Sequence, residues 1–97
     1  MPSHKYRVTL EPLNDSGESV ESPVTFEVEN HDDIIKIVNM LKTREDIGFD
    51  EQTTLEFTVG LKLFSEVMMK HRKHWLFEPL KDSFKSFMMG LKKGIRE

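Results

Sequence analysis

The chain reads as an α+β domain, an N-terminal antiparallel β-hairpin followed by three α-helices packed against one face of it, in the order β-β-α-α-α. Three observations predict this. Two short N-terminal segments alternate apolar and polar residues, with turn-forming residues between them. From Asp50 to Lys73, apolar residues recur at the helical spacing of three and four. A further one-sided apolar stripe follows Pro79, a residue suited to the first turn of a helix.

The first strand is expected over about residues 4–13. His4, Tyr6, Val8 and Leu10 fall on one face, and Lys5, Arg7, Thr9 and Glu11 on the other, which is the period of a half-buried strand. Pro12 has no N–H to donate and marks an edge position or a bulge near the strand's end. Asn14-Asp15-Ser16-Gly17 supplies the reversal, with Gly17 free to take a positive φ. The second strand, about residues 23–30, sets Val24, Phe26 and Val28 opposite Thr25, Glu27 and Glu29. A two-stranded hairpin is marginal alone in water, so its apolar face is expected to lie on the helices.

The first helix is expected over about residues 32–43, started by Asn30 or Asp32, with Ile34, Ile37, Val38 and Leu41 directed inward. A short loop anchored by Ile47 and Phe49 leads to Asp50, which is placed to cap the next helix, about residues 51–73. There Phe57, Leu61, Phe64, Met68 and His71 form one stripe, and Leu55, Val59, Leu63 and Val67 a second beside it. Thr58, Lys62, Ser65, Glu66, Lys70 and Lys73 take the water side. A face this broad needs more than one neighbour, which makes this the central helix. Burial of Phe64 on it predicts a cost of about 3–5 kcal/mol for Phe64→Ala. Gly60, in mid-helix, marks either a close approach by another backbone or a tolerated weak spot. The third helix, about residues 79–92, presents Leu80, Phe84, Phe87, Met88 and Leu91, with Gly94 as its expected end.

A chain of 97 residues fits a single domain, residues 1–97, able to bury a modest core. The lack of cysteine excludes disulfides, thiolate catalysis and Cys-based zinc or iron–sulfur sites, and it makes a reducing cytoplasm the expected setting. No stretch has the apolar length of a signal peptide or a membrane span, so a soluble intracellular protein with no membrane partner is expected. Charge is unevenly spread: residues 1–59 hold five basic and thirteen acidic side chains, residues 60–97 nine and four. The helix macrodipole accounts for most of this, with acids such as Asp50, Glu51 and Asp82 at helix starts and bases such as Lys42, Lys70, Lys92 and Arg96 at helix ends. An anion-binding C-terminal surface is the sharper reading.

No catalytic constellation is evident. Ser65, Ser83 and Ser86 have no histidine placed by spacing to activate them, and the carboxylate pairs Asp32/Asp33 and Asp46/Asp50 sit at helix starts or in a loop, where ionised acids are ordinary. His71, His74 and Glu78 have a loose ligand-like spacing, but His71 continues an apolar stripe, and neither a metal nor a cofactor is expected. The least bland feature is Lys70, Arg72, Lys73, His74 and Trp75, cations beside an aromatic ring, a candidate anion- or partner-binding strip. By elimination, and because hairpin edges are templates for strand addition, the expected function is a non-catalytic protein-interaction or self-associating module. Its partner is another protein or a second copy, and nucleic-acid or phosphate binding through residues 70–75 is the alternative reading.

Three stretches carry a family resemblance: Phe26-Glu27-Val28-Glu29-Asn30-His31-Asp32-Asp33, Val59 to Met68, and Phe77-Glu78-Pro79-Leu80. They resemble DUF3861, a small bacterial family known only as a domain of unknown function, and the resemblance covers nearly the whole chain. It implies a stand-alone domain in a bacterial cytoplasm, and it implies no catalytic residue, ligand or partner.

Overall fold

The computed structural model describes residues 3–95. An antiparallel hairpin is followed by three α-helices, which makes the fold α+β. The chain divides into two compact units, Met1–Asp33 and Ile34–Glu97.

The N-terminal unit is the hairpin of β1 (His4–Leu10) and β2 (Val24–Asn30). Its register pairs Tyr6 with Val28, Val8 with Phe26 and Leu10 with Val24, so apolar residues share one face. On the other face Lys5 pairs with Glu29, Arg7 with Glu27 and Thr9 with Thr25, and Arg7 meets the Glu27 carboxylate at 3.1 Å. β1 stops at Leu10, three residues short of the expected boundary. Pro12 lacks the N–H that another rung requires, and only an isolated bridge from Leu13 to Ser19 continues the pairing. The reversal is built by Asn14, whose side-chain carbonyl accepts the N–H groups of Ser16 and Glu18, and by Gly17 at φ 84°.

At the far end of β2, Asn30 is buried and its side chain accepts the N–H of Asp32 at 3.0 Å. That turn occupies residues 30–33, so α1 runs Ile34–Lys42 and begins two residues later than expected.

In the C-terminal unit α1 packs against α2 (Glu51–Lys70). The side chain of Asp50 caps α2 by accepting the N–H of Thr53 at 2.7 Å, as expected. α2 ends at Lys70 and not at residue 73, because the N–H of His71 turns back to the carbonyls of Val67 and Met68. A 3-10 segment, Trp75–Leu80, contains Pro79, and α3 (Lys81–Ile95) follows. The third α-helix therefore starts at Lys81, two residues past the expected position, and runs through Gly94; Arg96 lies outside the described residues.

The phase of α2 is the main departure from expectation. Its most buried stripe is Thr54, Thr58, Lys62 and Ser65, of which the sequence assigns Thr58, Lys62 and Ser65 to the water side and leaves Thr54 off both apolar stripes. Lys62 retains only 8% of its accessible surface. Short Thr and Ser side chains let a neighbouring element come close, and the methylene stem of lysine is apolar, so burial here follows side-chain reach and not polarity. Phe64, expected in the core, is 40% exposed, and Leu55 and Val67 are exposed as well. The Phe stripe instead makes edge-to-face ring contacts with the following elements: Phe57 with Phe87 at 6.3 Å, and Phe64 with Phe84 and with Phe77, each at 5.9 Å. α2 thus touches both α1 and α3, which is the central role expected of it.

Candidate functional site

The C-terminal end of α2, the turn after it and the start of α3 enclose a groove of about 650 Å³. Met68, Met69, Phe77 and Phe84 supply apolar surface, and Arg72, Lys73, Lys81 and Lys85 supply four cations. Each is placed by local structure. Met68 and Met69 lie in the last turn of α2, and the chain reversal at His71 carries Arg72 and Lys73 past the helix end. The side chain of His74 caps the 3-10 segment by accepting the N–H of Leu76 on Nδ1 at 3.1 Å, and so orients the turn that leads to Phe77. Phe77 is buried and anchors that segment against Phe64. Lys81 and Lys85, one helical turn apart on α3, stand on the same side of that helix as Phe84. Lys81 also meets the Glu78 carboxylate at 3.3 Å, an exposed pair worth little in stability.

Of the strip identified from the sequence, Arg72 and Lys73 line this groove. Lys70 and His74 line a more open neighbouring hollow of about 480 Å³, together with His71. Trp75 lines neither; it stacks on His74 with ring centroids 5.6 Å apart and is 76% exposed, as is much of Leu76. Only Phe77 of the Trp75-Leu76-Phe77 run is buried. The groove residues that sequence reasoning missed are Met68, Met69, Phe77, Lys81, Phe84 and Lys85. For α3 the signal was present: Lys81, Phe84 and Lys85 set basic and apolar positions on one side of the helix, but nothing in a linear reading ties them to Arg72 and Lys73.

The hairpin carries a separate depression of about 460 Å³, lined by Lys5, Tyr6, Arg7, Glu27, Val28 and Glu29. Two of its charged side chains have partners within the hairpin, Arg7 the Glu27 carboxylate and Glu29 the Ser3 hydroxyl at 2.6 Å. Two carboxyl groups are held below their ordinary range: Asp46 by hydrogen bonding from Arg44, and Asp50 by the N–H of Thr53. Neither lines the groove, and neither is paired with a second shifted group. Among the described residues no cluster of three or more His, Asp or Glu side chains is gathered to hold a metal ion. Among the described residues, too, no helix is long and apolar enough to cross a membrane.

The family model described as a domain of unknown function with a solved structure, DUF3861, matches residues 4–93. A crystal structure of a protein of unknown function from Pectobacterium atrosepticum is similar, with 37% sequence identity and a TM-score of 0.79 over 95% of this chain and 99% of that one. No curated protein matches the chain.

Proposed function

The chain belongs to the DUF3861 family, whose name carries no activity, and from that premise we propose that it is a non-catalytic protein-binding module whose contact surface is the groove of the C-terminal unit. The observation that carries this reading is the juxtaposition of exposed apolar surface at Met69 with four cations, two from the turn after α2 and two from α3. Concave apolar surface edged by charge is the form of a recognition site, whereas catalysis needs a nucleophile, base or paired acid converging on one point. The cysteine-free composition and the family's bacterial character support a cytoplasmic setting.

A second reading has one specific observation in its favour. Trp75 presents its ring to solvent beside Lys70, Arg72 and Lys73, an arrangement suited to stacking a base and neutralising phosphate. Both readings are tested by affinity capture from the native lysate with the wild type and with a Met69→Glu, Lys73→Glu variant, each with and without nuclease. A protein that survives nuclease and is held by the wild type but not the variant supports the groove. Equal retention by both forms rules the groove out as the contact surface, and capture of only nuclease-sensitive material moves the assignment to the Trp75 strip.

A further inference from the structure

Building on the reading of the groove as a protein-binding surface, we infer that its occupant is an acidic amphipathic α-helix of another protein. Three features argue for this ligand over others. The groove lies between helical elements and is neither enclosed nor flat, which suits an apolar helix face laid into it; a single small molecule would require walls that bury most of its surface. Its lining includes Met68 and Met69, flexible and polarisable side chains able to repack around apolar anchors spaced at three and four. The same lining is basic, with Arg72 and Lys73 from the turn and Lys81 and Lys85 from α3, so a helix with carboxylates flanking its apolar stripe meets opposite charge there. The concave shape disfavours a lipid bilayer, which is recognised by a convex apolar ridge pressed into the headgroups.

The probe is a fluorescein-labelled peptide of about 20 residues, with Leu along one helical face, Glu on both flanks and Ala elsewhere, titrated by anisotropy. Its controls are a shuffled peptide of equal composition and a twin with Lys in place of Glu. The acidic amphipathic peptide is expected to bind at micromolar concentration, at least about tenfold tighter than either control, and to weaken as salt rises. Lys73→Glu with Lys85→Glu, both exposed positions whose folding is checked by circular dichroism, is expected to weaken it by a further factor of about ten or more. Equal binding of the shuffled or basic peptide overturns the inference, as does no binding of the acidic one. A parallel titration with oleate, followed through the ¹³C-labelled methyl signals of Met68 and Met69, separates the two levels of the argument. Movement of those signals by oleate but not by peptide leaves the groove as a binding site and removes the helix. No movement with either removes both.

Discussion

Arg44, in the turn after α1, donates from its guanidinium to the main-chain carbonyl of Leu91 in α3 at 2.7 Å, across a separation of 47 residues. The same guanidinium donates from Nε to the Asp46 carboxylate at 3.0 Å. One largely buried side chain thus ties the loop between the first two helices to the C-terminal half of the third, where the helix dipole is negative and favours a cation.

Arg44→Met is expected to lower stability by about 1.5–3 kcal/mol, the range for losing a hydrogen bond to a charged group. Arg44→Lys is expected to recover little of it, because an ammonium cannot span the carboxylate and the carbonyl with the fixed fork of a guanidinium. Urea denaturation measures the first. Amide hydrogen exchange over α3 checks the second: faster exchange confined to the loop, with α3 unchanged, contradicts the tie.

Asp50 makes the acid limb of stability testable. Its carboxyl is held below the ordinary value of 3.8 by the Thr53 N–H, so the charged form is favoured in the folded state. The contribution is fully present above the ordinary value and is lost as pH falls below it towards the lowered one. Asp50→Asn keeps an acceptor at the cap but does not titrate, so its melting temperature is expected to fall less steeply than that of the wild type below about pH 4. Parallel acid limbs would show that the cap does not couple to protonation.

Core position separates Leu41 from Phe64. Leu41 is 3% exposed, so Leu41→Ala is expected to cost about 2–5 kcal/mol. Phe64 keeps two edge-to-face contacts but is far more exposed, so Phe64→Ala is expected to cost about 1–2 kcal/mol, less than a core phenylalanine. Denaturation of the two variants under one set of conditions gives the order; a larger loss at Phe64 would restore the Phe stripe as the core.

Gly60 lies in the interior of α2 with open space where a Cβ would stand. The close backbone approach considered from the sequence is not what the glycine serves. Gly60→Ala is expected to raise stability by about 0.5–1 kcal/mol through the lower entropy of the unfolded chain and better helix propensity. A lower melting temperature would mean that the space is used.

The hairpin was legible because a period of two is written directly into His4 to Leu10 and Val24 to Asn30, and the observed register keeps Val8 with Phe26 and Lys5 with Glu29. The Asp50 cap was legible for a similar reason, being a local hydrogen bond between residues three apart. The phase of α2 was not. Leu55, Phe57, Val59, Leu61, Leu63 and Phe64 cover so much of the helix circumference that polarity leaves the buried side undetermined, and the choice falls to the short side chains of Thr54, Thr58 and Ser65. The groove was half legible. Arg72 and Lys73 stand out in the chain, but their partnership with Lys81, Phe84 and Lys85 exists only once the turn at His71 folds the two helices together.

The pairing of Lys5 with Glu29 and Arg7 with Glu27 gives the hairpin an electrical direction across its width, since β1 carries the bases and β2 the acids. Two copies related by a two-fold axis through either strand would set base against base or acid against acid, which opposes symmetric pairing. A neighbour is matched in charge only when its β2 meets this chain's β1, a heterologous contact that builds a ring where its rotation closes and an open ribbon where it does not. Sheet growth from this hairpin would therefore produce a polar ribbon, basic along one margin and acidic along the other, and rising salt would weaken its preference for that single orientation.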